Sequence, residues 1–241
     1  IGHFSTRMAS EWYRDRYNCF VLAPQCPLKQ RWANLDPETK RMDPEPTHAM
    51  QGAIASLEDV VRTQPIDLNR IMLTGLSLGG FGTFDLAARH PDYFAAAAPV
   101  CGGGDPTTAA RFAGLPVIIW HGAADQVVPV EFSKNMAEAI EALDLDVAYT
   151  ELPGVRHNSW DNAYARNGCI DDLFEARRDP AAMQRETARL LAEAIAPDER
   201  IAFLGDSITQ AGNRPGGYVD LIRQVLADER PDAVVIPAGI S

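Results

Sequence analysis

From Phe20 onward, apolar residues fall into short blocks of strand formers separated by longer stretches with a helical period. That alternation predicts a mostly parallel sheet whose strands are joined by crossover helices. Residues 20–23 (FVLA) read as the first strand, followed by a polar, proline-containing loop. Met50, Ala53, Ile54, Leu57, Val60 and Val61 then recur on one helical face, with Thr47 placed to cap the helix and Gln64-Pro65 to end it. Further strands are expected over residues 71–74, 94–100, 115–120 and 147–152. Helices are expected over 81–88, 131–142 and 171–178, while residues 1–17 read as loop and helix. A doubly wound α/β sheet accommodates this order, with helices covering both faces of strands too apolar to meet water.

The pattern restarts near residue 179. Met183, Thr187, Leu190, Leu191, Ala194 and Ile195 share a helix face that Pro197-Asp198-Glu199-Arg200 closes. A new strand over 201–204 opens on Gly205-Asp206-Ser207. Tyr218, Leu221, Ile222, Val225 and Leu226 follow on a helix face, and residues 233–236 form another strand. The expected organisation is an α/β domain over 1–178, a helix and linker over 179–200, and the start of a second α/β unit over 201–241. The chain opens on Ile1 rather than Met and stops just after the apolar run Val234-Val235-Ile236, so both ends are expected to be incomplete.

Composition narrows the function classes. A net charge of −11 disfavours a partner held through phosphates, because nucleic-acid affinity rests on cationic neutralisation, and no Lys/Arg cluster offsets it. No apolar run reaches the roughly 18 residues of a membrane span. Cys19, Cys26, Cys101 and Cys169 lack zinc-ligand spacing and read as buried free thiols, one disulfide staying open. Localisation and oligomeric state are left open by the sequence.

The chemistry concentrates in Gly75-Leu76-Ser77-Leu78-Gly79, a G-x-S-x-G run between a predicted strand and a predicted helix. There the glycines let the backbone turn sharply and leave the serine hydroxyl above the sheet, while Gly80 gives the helix room to approach. A serine needs a base, and the base an orienting acid, in the chain order Ser, acid, His. Asp125 follows a strand and the turn His121-Gly122-Ala123-Ala124; His157 follows a strand and the loop Pro153-Gly154-Val155-Arg156. All three side chains should therefore emerge at one sheet edge. The rivals are weaker: His3, His48 and His90 stand near the chain start or helix ends, and His121 shapes a loop. Asp105 suits a turn, Asp144 and Asp146 a solvated helix exit, and Asp161 follows the base. The Leu78 amide is the expected first oxyanion donor, with no second donor placed. Trp32 and Trp160 are candidate substrate-pocket residues, each with a packing role as the alternative. This chemistry calls for no metal and no cofactor.

The runs FVLAPQCP (20–27), TGLSLGGFG (74–82), PVCGGGDP (99–106), HGAADQVVP (121–129) and PGVRHNSW (153–160) together resemble the α/β-hydrolase esterases related to polyhydroxybutyrate depolymerases and to the phospholipase/carboxylesterase group. The resemblance covers roughly residues 18–178. It implies a serine esterase acting on a small or oligomeric ester through an acyl-enzyme, with Ser77 as nucleophile, His157 as base and Asp125 as orienter. It also implies a strand and a His-Gly loop ahead of Ile1. A serine peptidase on the same fold, or a non-catalytic binding module that keeps the hydrolase shape, are the alternatives.

Gly205-Asp206-Ser207-Ile208-Thr209 resembles the opening of the GDSL or SGNH hydrolases, in which the Ser207 position is the nucleophile, and Gly239 resembles the glycine of that family's second block. Pro237 stands where an asparagine is common. All five histidines precede Ser207, so this serine has no base within the chain.

Overall fold

The computed structural model describes residues 3–194, 202–205 and 236–239. It divides into two compact units, Ile1–Arg178 and Asp179–Ser241.

The first unit is built on a four-stranded parallel sheet in sequential order, β1 (Met72–Leu76), β2 (Ala96–Val100), β3 (Val117–Gly122) and β4 (Val147–Leu152). Parallel neighbours need crossover connections. Helix α4 (Leu78–Arg89) joins β1 to β2, and α5 (Glu131–Glu141) joins β3 to β4. Strand β2 is buried along its whole length, as expected of a central strand covered on both faces. Alternation sends Ala96, Ala98 and Val100 into one core, and Ala97 to the opposite face. The first core is completed by Met8 of α1 (Phe4–Met8), Tyr13 of α2 (Glu11–Arg16) and Tyr17, together with Ala163 of α6 (Trp160–Ala163), Tyr164, Cys169, and Ile170 and Leu173 of α7 (Ile170–Glu175). Arg16 pairs with Asp171 at 2.7 Å on that surface, tying α2 to α7.

Helix α3 (His48–Thr63) begins where the pattern places it. Thr47 is its N-cap, its Oγ1 accepting from the Met50 amide at 3.1 Å. The β3, β4 and α5 expectations agree with the structure to within two residues. Helix α4 begins three residues earlier than its apolar face indicates, because the Gly79-Gly80 pair carries no side chains to announce it.

One expected strand does not form. Residues 18–27 have no regular structure, and Phe20, Val21 and Leu22 are exposed. A strand needs a neighbour's backbone donors and acceptors. Strand β1 pairs with β2 on one edge, and among the described residues no strand pairs with its other edge.

In the second unit, α8 (Pro180–Ala194) forms over the stretch where the helix was expected, Ile195 lying outside the described residues, and β5 (Ala202–Gly205) pairs in parallel with β6 (Ile236–Gly239). Strand β6 starts at the last residue of the expected 233–236 strand. Asp206, Ser207 and the expected helix from Tyr218 to Leu226 lie outside the described residues.

Candidate active site

Each of the three predicted side chains follows the C-terminal end of a strand, and the parallel order of the sheet brings those ends to one edge. Ser77 stands between β1 and α4 with φ 52° and ψ −117°, a conformation that L-residues rarely hold and that an overdetermined turn must impose. The constraints are visible. The Ser77 amide donates to the Val100 carbonyl at 2.9 Å, and its carbonyl accepts from the Gly80 and Phe81 amides at 2.8 and 3.1 Å. A Cβ on Gly75 would stand 2.4 Å from the Gly79 carbonyl oxygen, so the elbow closes only with glycine there. At Gly79 a Cβ would meet nothing within 4 Å. The tight contact belongs instead to Gly80, where a Cβ would lie 2.5 Å from the Val100 oxygen and 2.9 Å from the Gly102 Cα.

The Asp125 and His157 loops are pressed together by the same economy of side chain. A Cβ on Gly122 would fall 2.2 Å from the Arg156 carbonyl oxygen, and the Ala123 and Ala124 amides donate to the Leu152 and Val155 carbonyls at 3.0 and 2.9 Å. This brings Asp125 and His157 into contact. His157 Nδ1 donates to Asp125 Oδ2 at 2.7 Å, and Ser77 Oγ lies 2.9 Å from His157 Nε2. With Nδ1 carrying the proton, Nε2 is free to accept from the serine hydroxyl. Asp125 Oδ1 accepts from the Val127 and Val128 amides at 2.8 and 3.0 Å. Burial by itself would raise the Asp125 carboxyl, but the His157 hydrogen bond and the Val128 and Val127 amides together outweigh it and hold the group below the usual carboxylate range. The acid therefore stays ionised beside the imidazole.

Leu78 opens α4, so its amide has no intrahelical acceptor. Trp160 stands edge-on to His157, ring centroids 5.3 Å apart at 89°, and His3 lies against its ring at 5.2 Å. Trp32 is half-buried, and its Cβ and Cγ would lie 2.7 and 3.1 Å from a Cβ on Gly82, so it packs on α4 beyond the elbow. Asp105 is a turn residue, accepting from the Thr107 amide at 2.9 Å to cap the 3-10 helix Pro106–Phe112. Asp161 pairs with Arg7 at 3.5 Å.

Cys101, Asp125 and His157 offer ligand atoms within 4.8 Å of one another, a spacing a divalent cation could bridge. Here both imidazole nitrogens and both Asp125 oxygens are already engaged, and burial pushes the Cys101 thiol up to about 11, away from the thiolate a metal requires. The arrangement is that of a hydrogen-bonded relay. Of the four cysteines, all free, Cys101 and Cys169 are buried as expected, whereas Cys19 is exposed and Cys26 half-buried. They flank the stretch whose expected strand does not form.

The model of the dienelactone hydrolase family matches residues 28–190, a span that contains the elbow and both loops. The chain belongs to the dienelactone hydrolase family. It has the α/β-hydrolase fold, and this family membership refines the broader esterase resemblance read from the motifs. Among solved structures, a thermostable esterase aligns with a TM-score of 0.65 and 35% identity over 71% of this chain and 47% of its own. NocK, a candidate esterase of Nocardia uniformis subsp. tsuyamanensis, is 26% identical over 193 residues, which is 79% of this chain and 55% of that protein. Poly(3-hydroxyalkanoate) depolymerase C of Paucimonas lemoignei is 44% identical over 57 residues, 22% of this chain and 14% of that protein. This dienelactone hydrolase family member thus spans about half the length of NocK and of the thermostable esterase. No helix among the described residues is long and apolar enough to cross a membrane.

Just behind the site, His121, read from the sequence as shaping a loop, is fully buried and touches the Asp125 loop from within; what the sequence missed is the fully buried Ser133 that touches His121. The one legible sign of the contact between His121 and Asp125 is their four-residue spacing across a turn.

Proposed function

We propose that this chain is a serine carboxylic ester hydrolase that acts through an acyl-enzyme. The observation that carries the reading is the unbroken run of hydrogen bonds from Ser77 through His157 to Asp125, at 2.9 and 2.7 Å. In this mechanism Ser77 Oγ attacks the ester carbonyl carbon and its proton passes to His157 Nε2. The carbonyl electron pair moves onto oxygen, where the Leu78 amide donates to it. As the intermediate collapses, the C–O bond to the alcohol breaks, and the leaving oxygen takes the proton back from His157. Water, deprotonated by the same imidazole, then attacks the acyl carbon; the C–O bond to Ser77 breaks, the acid leaves, and the imidazolium returns its proton to Ser77 Oγ. Asp125 keeps Nδ1 protonated and balances the imidazolium charge that forms twice in the cycle. Trp160, edge-on to the base, is the candidate wall of the ester pocket, and Trp32 a more distant one. The relatives named as esterases and as a polyester depolymerase favour an ester, small or oligomeric, over a peptide amide.

Within this reading, residues 1–178 carry the chemistry, 179–200 form a helix and linker, and 201–241 open a GDSL/SGNH-like unit in which Ser207 holds the nucleophile position but has no base within this chain. In support of the last point, β5 ends on Gly205, the first residue of Gly205-Asp206-Ser207, and β6 ends on Gly239.

The test is to treat the chain with a fluorophosphonate, map the labelled serine, and compare turnover of a p-nitrophenyl ester with that of the matching anilide. Labelling at Ser77 that disappears in Ser77→Ala and in His157→Ala, with the ester preferred, is the expected result. Labelling at Ser207 alone, or at no serine, overturns the proposal, and equal turnover of the anilide assigns the peptidase alternative.

A further inference from the structure

The last residue but one of β3, His121, is fully buried at the junction of three elements, and every polar neighbour it has can be named. Its Nδ1 lies 2.7 Å from Ser133 Oγ on α5. Its Nε2 lies 2.9 Å from the Val128 carbonyl oxygen and 3.2 Å from Asp125 Oδ2. Ser133 Oγ is also 3.0 Å from the Gly102 carbonyl oxygen, in the loop that follows β2. The side chains of His121, Asp125 and Ser133 are all out of contact with solvent. No water therefore competes for these contacts, and each one left unmade would cost the full desolvation of a buried polar group.

Proton counting fixes the Nε2 side of the ring. Both neighbours of Nε2, a carbonyl and a carboxylate, are acceptors, so Nε2 carries a hydrogen. On the other side the Ser133 hydroxyl has one hydrogen and two acceptors within reach, the Gly102 carbonyl and His121 Nδ1. Whichever it takes, the Nε2–H edge faces the Asp125 carboxylate.

We propose that His121 is a positioning residue of this site. Through its Nε2–H it clamps the Val128 carbonyl and the buried side of Asp125 Oδ2, which fixes the carboxylate that accepts from His157 Nδ1. The carboxylate is then fully specified. The amides of Val127 and Val128 hold Oδ1, and the His121 N–H edge faces Oδ2 from the interior, the oxygen that also accepts from His157 Nδ1. Side chains that fix a catalytic group rank with the group itself in setting its geometry, because small misplacements cost large factors in rate.

The inference rests on the ester-hydrolase reading for its consequence but not for its structure, so two measurements separate them. In a long-range ¹H–¹⁵N spectrum of the chain labelled with ¹⁵N-histidine, His121 is expected to carry a proton on Nε2 at neutral pH, whether or not the chain turns over an ester. A ring protonated on Nδ1 alone overturns the proposal. In ester turnover, His121→Phe is expected to lower kcat by about 10- to 100-fold with KM within about twofold, less than the loss of the acid itself costs. His121→Gln, which keeps a donor at the Nε2 position, should recover most of that loss. A His121→Phe kcat within about twofold of the parent, or Phe and Gln variants equally impaired, overturns the positioning role. If His121→Phe does not fold, Ser133→Ala replaces it: kcat falls several-fold at constant KM, and an unchanged kcat counts against the proposal. A parent chain without ester turnover whose His121 carries a proton on Nε2 would sink the proposed function alone.

Discussion

The two oxygens of Asp125 are divided between backbone and imidazole: Oδ1 is held by the amides of its own loop, and Oδ2 accepts from His157 Nδ1 at 2.7 Å. Because the amides can only donate, the carboxylate has one arrangement that satisfies all its partners. An asparagine would be forced to place its carbonyl oxygen toward Val127 and Val128 and its NH2 toward His157.

That gives the first prediction. In Asp125→Asn the amide N–H would oppose the His157 Nδ1–H, so the ring should adopt the other tautomer and lose its acceptor for Ser77 Oγ. A fall in kcat of about 10³- to 10⁴-fold with little change in overall structure is expected. It is checked by ester turnover alongside circular dichroism. A variant within about tenfold of the parent would mean that Asp125 does not orient the base.

The same carboxylate links stability to pH. Its folded-state pKa is depressed, since the His157 and amide hydrogen bonds together exceed the opposing effect of burial. The stabilisation from this group is therefore complete above the unfolded carboxylate pKa of about 3.9 and is lost as pH falls through the lower folded value. Measured by urea midpoints, the parent should lose more stability than Asp125→Asn between pH 5 and pH 3. Asp171 and Asp36 are also depressed, but both chains share them, so the difference in slope isolates Asp125. Parallel slopes would contradict the assignment.

Two glycines on helices should respond in opposite directions to alanine. At Gly80 the added Cβ meets only backbone, at 2.5 Å from the Val100 oxygen and 2.9 Å from the Gly102 Cα, so α4 must move off the sheet. A loss of about 1–3 kcal/mol is expected, with activity impaired because Ser77 sits at the same turn. At Gly52, inside α3, a Cβ meets nothing within 4 Å, and alanine should stabilise by about 0.5–1 kcal/mol. Denaturant midpoints of the two variants decide the matter.

These contrasts show why some of the molecule is legible in its sequence and some is not. Ser77, Asp125 and His157 each follow a strand block that periodicity marks, and parallel strands deliver their C-terminal ends to one edge. Local pattern was thus enough to bring the three together on paper. Residues 20–23 (FVLA) and residues 147–150 (VAYT) both read as strands from their local pattern, yet only the latter pair. Pairing depends on a neighbouring backbone, which β3 supplies to β4, and propensity contains no such information. His121 was legible as a loop-shaping residue, but its partners were not, for a related reason. Its contact to Ser133 joins β3 to α5, and the Ser133 hydroxyl in turn reaches the Gly102 carbonyl in the loop after β2, separations of 12 and 31 residues that no motif spacing encodes.

The thiols supply a prediction that needs no substrate. Burial pushes Cys101 up to about 11 and Cys169 up to about 12, and neither side chain reaches solvent. Cys19 is exposed and Cys26 half-buried, with pKa values raised by burial but without the same enclosure. Reaction with a disulfide reagent requires both access and thiolate. At pH 8 the native chain should therefore react at Cys19 and Cys26 only, and at all four after denaturation. Cys101 is the informative one, because its backbone amide bonds to the Trp120 carbonyl at 2.8 Å and its residue holds φ 39° beside the Ser77 turn. Loosening that turn with Gly80→Ala should expose it, so the rate of Cys101 labelling should rise in that variant while Cys169 stays protected. Rapid modification of Cys101 in the parent would contradict the enclosure of the site by β2 and β3.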